Sequence, residues 1–134
     1  MTGQLKIWTG SSWVYVSQGA QGVAGEDGET LLIVNDQTGT TYTLALTDGY
    51  KLVRCSNAAD IVVTVPTNGN VAFPIGSVVL IEKYGAGNVK ISPDATVTIN
   101  SVDGCNTVNF LYSAASLVKT DTNVWWLSGD LILT

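Results

Sequence analysis

From residue 31 to the C-terminus the chain is cut into short apolar runs that alternate at every second residue, each closed by a turn signal. The runs fall at 31–34, 40–46, 50–55, 60–65, 77–83, 88–91, 96–99, 108–112, 115–119 and 124–127, with 131–133 as a short last one. Between them stand Asp36-Gln-Thr-Gly39, Asp48-Gly49, Thr67-Asn-Gly-Asn70, Gly85-Ala-Gly-Asn88, Asp103-Gly104 and Asp121-Thr-Asn123. These residues either tolerate a left-handed backbone or bond their own main chain. No window holds an apolar period of 3.6 over a useful length, which argues against a helical core. Val, Ile and Thr repeating at about ten-residue spacing predict an all-β domain, a β-sandwich of jelly-roll type or a small barrel.

The first thirty residues are organised differently. Residues 5–8 (Leu-Lys-Ile-Trp) and 13–16 (Trp-Val-Tyr-Val) flank a Thr9-Gly10-Ser11 turn and predict a β-hairpin bearing Trp8, Trp13 and Tyr15. A lone two-stranded hairpin is marginal in water, so it must dock on another copy, the following domain or a different protein. The rival reading is a minor extension of the main sheet. Gly19, Gly22, Gly25 and Gly28 then recur at every third residue. Such spacing lets three chains wind in polyproline-II form, because only hydrogen fits at their axis. The run contains no proline, and Val16 and Leu31 stand where the next glycines would fall. A true triple helix and a loose three-chain neck both remain open, beside a plain flexible linker. A run this short cannot trimerise a protein, so the flanking folded parts must. The neck closes on Glu26, Asp27 and Glu29, a cation site or a seat on a basic partner in one reading and a solvated stretch in the other. Three chains meeting there would set these carboxylates against one another. The organisation expected is a hairpin attachment arm at 1–18, a collagen-like neck at 19–30 and a β-sandwich trimerisation domain at 31–134.

Charged residues make up only 13% of the 134 residues, about half the usual share for a soluble domain. Mean hydropathy is +0.27. So few charges favour a chain that buries much of its outside against copies of itself. Net charge is −5, and Lys6, Lys51, Arg54, Lys83, Lys90 and Lys119 are scattered. With no basic patch, nucleic acid and anionic membrane are not expected partners. Met1 to Val16 lacks the pattern of a signal peptide, and no apolar stretch approaches the ~18 residues of a membrane span; assembly in a cytoplasm is expected. Cys55 and Cys105 are the two cysteines, read as free buried thiols rather than a disulfide.

Reactive chemistry has little to stand on. Histidine is absent, which removes the usual general base and the commonest metal ligand. Two separated cysteines make no zinc site, and there is no nucleophile elbow or phosphate loop. Most aspartates beyond the neck sit in turn positions. The expectation is no enzyme, no cofactor and no metal, with a carboxylate pair in a groove kept as a weak third idea. Trp125 and Trp126, adjacent on one strand, must point to opposite faces, so only one can be core. The other serves a subunit contact or a sugar-stacking platform. Tyr84 and Tyr112, near turns, invite the same two readings.

Tyr42-Thr-Leu, Val65-Pro66, Ala72-Phe-Pro-Ile-Gly76, Tyr84-Gly-Ala-Gly-Asn-Val89, Tyr112-Ser-Ala-Ala-Ser-Leu-Val-Lys119 and Val124-Trp-Trp-Leu-Ser-Gly-Asp-Leu131 occur in that order. Together they resemble a β-rich module of tailed-bacteriophage virion proteins: tail fibres, head fibres and capsid decoration proteins. The segment Lys6-Ile-Trp-Thr-Gly-Ser-Ser-Trp-Val14, leading into Gly-x-y triplets, is similar to the lead-in of such proteins. The resemblance implies a homotrimeric virion component, assembled in the host cytoplasm. The resemblance does not identify the place on the particle; size favours the head, since a small hairpin and one knob without a long shaft suit a capsid decoration (cement) protein or short head fibre whose arm grips the major capsid protein or another virion protein. The alternative it leaves is a tail-fibre tip that binds a receptor or host-surface glycan. Either way the partner candidates are Trp8, Trp13, Tyr15, Gly19, Gly22, Gly25, Gly28, Trp125 and Trp126.

Overall fold

A computed structural model describes residues 6–8, 10, 13–15 and 31–134. The chain divides into two units, Met1–Leu31 and Leu32–Thr134. In the first, β1 (Lys6–Trp8) and β2 (Trp13–Tyr15) pair antiparallel, with Trp8 opposite Trp13 and Lys6 opposite Tyr15. Gly10 in their connection has φ +104°, a left-handed conformation that glycine adopts without strain. The side chains of Trp8, Trp13 and Tyr15 lie outside the described residues, as do Gly19, Gly22, Gly25, Gly28 and the rest of the neck.

The second unit is all-β. Its strands are β3 (Val34–Gln37), β4 (Thr41–Thr43), β5 (Leu52–Cys55), β6 (Ile61–Val65), β7 (Val78–Lys83) and β8 (Val89–Pro93). After these come β9 (Thr98–Asn100), β10 (Thr107–Val108), β11 (Ala114–Asp121), β12 (Val124–Gly129) and β13 (Leu131–Ile132). They form two mixed sheets: a larger one of order β3-β5-β7-β11-β12-β9 and a smaller one of order β13-β10-β8-β6-β4.

From β3 to β8 the chain passes from one sheet to the other at every strand. Each strand then pairs in parallel with the strand two places on. The windings are clamped where it turns over. Asn57 Nδ2 donates to Thr38 O at 2.7 Å, Gly87 N to Asn57 O at 2.8 Å and Asn88 N to Asp60 Oδ1 at 2.9 Å. The turns stack so closely that a Cβ on Gly87 would collide with the Ala59 backbone. Beyond β8 the pairing becomes antiparallel, except that β9 closes an edge parallel to β12.

Period-two alternation turns one side of each sheet inward. Val53, Cys55, Val79, Ile81, Leu117, Trp125 and Leu127 from the larger sheet meet Ile61, Val63, Val65, Val89, Ile91 and Val108 from the smaller in one buried cluster. Leu44, Phe73 and Val97 close it from the connections. Phe73 meets Trp125 edge to face, with centroids 5.2 Å apart.

An all-β fold is what the alternation predicts, but a jelly roll winds antiparallel Greek keys, whereas the first six strands of this unit pair in parallel. The side-chain period is two in both cases, so it could not separate them. Three strand expectations also shift. Residues 31–33 precede β3, whose own residues are mostly polar; residues 44–46 lead into a turn of 3-10 helix, Leu46–Asp48. The run at 108–112 is mostly loop, with Tyr112 at φ +69°. Cys55 and Cys105 are free; Cys55 is buried, whereas Cys105 is half-buried. No helix among the described residues is long and apolar enough to cross a membrane.

Candidate interaction face

Each sheet also has an outer side, and the two outer sides differ in kind. On the smaller sheet the register sets Thr41, Val62, Lys90, Thr107 and Ile132 in one row and Thr43, Thr64 and Ser92 in the next. Hydroxyls and an ammonium dominate; Thr107 is buried with its Oγ1 2.6 Å from Thr134 Oγ1, and the other polar groups suit a face that meets water. On the larger sheet one row reads Val34, Leu52, Leu80, Ser116 and Ser128. The row beside it reads Val78, Val118, Trp126 and Asn100. Neither row carries an ionisable group. Trp126 is 51% exposed, Val34 is exposed, and Leu52, Val78, Leu80 and Val118 are half-buried. An apolar band running from strand to strand is unusual on the outside of a lone domain.

The band continues at both ends. Exposed Leu31, Leu32 and Ile33 lead into β3. At the Val78 end, Tyr50 N donates to Val78 O at 2.6 Å and Tyr50 Oη to Gly76 O at 3.1 Å. Tyr50 also lines a groove of about 320 Å³ with Leu46, Phe73 and Pro74.

Charge stands at the margins of the two rows: Asp36, Arg54 and Glu82 share a row with Ala114 on one side, and exposed Asp121, opposite Val124, lies on the other. Arg54 forks onto Asp36, with Nε to Oδ1 at 2.6 Å and Nη2 to Oδ2 at 3.2 Å. That bond holds the Asp36 carboxyl below its ordinary range and raises Arg54. The guanidinium also lies 4.5 Å from the centroid of the Tyr84 ring, and Tyr84 meets Tyr112 edge to face at 5.7 Å. Exposed Phe110 and Leu111 neighbour Tyr112 in the chain.

Of the adjacent tryptophans, Trp125 is buried and Trp126 lies on the outer face, as alternation requires. Only Trp126 is therefore available to a partner; Trp125 belongs to the core. No metal-holding group of three or more His, Cys, Asp or Glu is found among the described residues. Asp60, Asp94 and Asp121 accept from backbone N–H groups in turns.

Asp48, Ser77, Lys83, Thr107 and Lys119 are polar residues inside the fold that the sequence did not reveal, and of these Asp48 and Lys119 make side-chain networks. Asp48, taken for a turn residue, is 1% exposed and accepts from Asn35 Nδ2 at 2.9 Å, Tyr42 Oη at 2.7 Å and Ala45 N at 2.8 Å. Burial first, and then the bond to Asp48, pushes the Tyr42 hydroxyl up to about 12. Lys119 is 2% exposed; its Nζ donates to Asn68 Oδ1 at 2.5 Å and Phe73 O at 2.8 Å. Burial lowers its pKa. Both tie connecting segments to the sheets, and for Lys119 the inward alternation after Ala115 and Leu117 was the available signal. Burial likewise pushes the Cys55 thiol up to about 12, leaving it unreactive.

Searches against family models, curated proteins and solved structures find no match to this chain.

Proposed function

We propose that this protein is a non-enzymatic structural component of a tailed-phage virion, a homotrimeric capsid decoration protein or short head fibre that stabilises the shell. One observation carries the reading: two neighbouring rows on the outer face of the larger sheet are largely apolar and hold no charge, while the outer rows of the smaller sheet are mostly polar. A face of this kind suits a chain whose work is to be covered by other protein. The glycine run at 19–30 supports a set of three, and the resemblance to phage virion modules supplies the setting. In this reading residues 31–134 are the β-sandwich trimerisation domain and the hairpin at 1–18 grips the shell. A trimeric clamp bridging neighbouring capsomers stabilises the assembled shell over loose subunits by mass action.

Labelled antibody on intact virions is expected to land on the head. Particles stripped of the protein are expected to lose survival to heat and osmotic shock and to regain it when the protein is restored. Unchanged survival would remove the cement role.

A tail-fibre tip is favoured by a different observation, the exposed Tyr84–Tyr112 pair beside Arg54 and Asp36. Aromatic rings next to a charged pair suit the apolar face and the hydroxyls of a sugar. That reading predicts adhesion of purified protein to host cells or cell-wall polysaccharide, abolished by Tyr84→Ala with Tyr112→Ala. Antibody on the tail together with such adhesion would replace the head assignment.

A further inference from the structure

We infer that the outer face of the larger sheet is the contact between copies of this chain. Leu52, Val78, Leu80, Val118 and Trp126 would be buried around a threefold axis. The inference rests on the trimeric reading above and names the surface that reading uses.

Three features select a second copy as the occupant. The first is continuity of the chain. The glycine-every-third run ends at Gly28, and a few residues later the chain becomes β3, the edge strand of this same sheet. Whatever gathers three necks delivers three copies of this edge to one place, each preceded by the exposed apolar residues Leu31, Leu32 and Ile33.

The second is charge. Each chain carries a net charge of −5, so two copies repel wherever their acidic groups approach. The two apolar rows offer identical chains a contact free of that repulsion. A strongly basic partner would instead find no carboxylate in these rows to pair with.

The third is the anatomy of the face. Trp126 is a large ring with Val118 and Val124 as apolar neighbours on the face, Leu80 and Leu52 lie further along the band, and Ser116, Ser128 and Asn100 supply hydrogen-bonding groups in the same rows. The charged row Asp36–Arg54–Glu82 lies to one side, with its cation already bonded within its own chain. An aromatic anchor in an apolar patch with polar residues at the margin is the usual build of a specific protein contact.

The test uses the full chain and measures its mass by light scattering. The wild type is expected at three times the 14.1 kDa of one chain. The pair Leu80→Lys and Val118→Lys, on the face, is expected to fall to one chain while keeping its β circular dichroism. Thr64→Lys with Ser92→Lys, on the outer side of the smaller sheet, is expected to remain at three. Should the face variant misfold, Trp126→Cys decides. A short bismaleimide is expected to link its subunits above the wild-type background and to leave Ser92→Cys at that background. If the face variant keeps three chains with unchanged melting, or Trp126→Cys gives no added cross-link, the contact lies elsewhere although the trimer stands. A wild type that scatters as a single chain overturns both.

Discussion

Lys119 occupies an inward position of β11 where the two preceding inward residues, Ala115 and Leu117, are apolar. Its ammonium survives burial because two oxygens of the connection between β6 and β7 accept from it. Truncation removes packed methylenes and strands both acceptors at once, so Lys119→Ala should cost roughly 2–4 kcal/mol in denaturant melts. Tyr42 makes a sharper test, because it titrates. Its folded pKa is raised to about 12 from the ordinary 10.0. Its contribution is therefore fully present below pH 10 and is lost as pH rises toward 12, since the unfolded phenol ionises first. Tyr42→Phe should lower stability by about 1–3 kcal/mol at neutral pH, because buried Asp48 loses a donor. The gap between wild type and Tyr42→Phe should narrow between pH 10 and 12. A gap that stays constant over that range would mean the hydroxyl does not hold Asp48 as described.

At the scale of strands, the stacked turns are the most exacting part of the winding. A methyl group at Gly87 meets the Ala59 backbone, which belongs to the winding beneath and cannot swing away as a side chain tip could. At Gly39, in the corresponding turn two windings before Gly87, the nearest atom is Thr41 O at 3.8 Å, an ordinary contact. Gly87→Ala should therefore destabilise by about 1–3 kcal/mol or more, and Gly39→Ala should fall within about 0.5 kcal/mol of wild type. Equal thermal shifts for the two would contradict the close stacking. The same turns explain what could be read in advance. β5, β6, β7 and β12 stand close to their expected places, because their alternation is strong and a turn signal bounds each. β3 was set too early because the apolar run 31–34 outweighed the polar Asn35-Asp36-Gln37. Its strand state comes from pairing with Leu52–Cys55, a partner that local sequence does not name. The run at 108–112 failed in the opposite way, since its exposed Phe110 and Leu111 look like core but lie in a loop.

For the whole molecule, the parallel winding was out of reach of the sequence. β3, β5 and β7 begin at 34, 52 and 78, so the windings differ in length and leave no repeat to detect. The apolar face was closer to hand. Leu52, Val78, Leu80, Val118 and Trp126 stand at outward positions of alternating strands, apolar where polar was due, but the rows exist only once the register is known. Trp126 could be placed in advance only as one of a pair. The proposed contact also fixes how assembly should respond to salt. Acidic chains drawn together through two uncharged rows are held by apolar burial and opposed by long-range repulsion between their net charges. Salt screens the repulsion, with a Debye length of about 30 Å at 0.01 M and about 3 Å at 1 M, and leaves the apolar term intact. Raising sodium chloride from about 0.01 to 1 M over that screening range should shift the dissociation of the trimer on dilution, followed by light scattering, to lower protein concentration. A trimer held by ion pairs would shift the opposite way, and that result would move the contact from the two apolar rows to the charged margin at Asp36, Arg54 and Glu82.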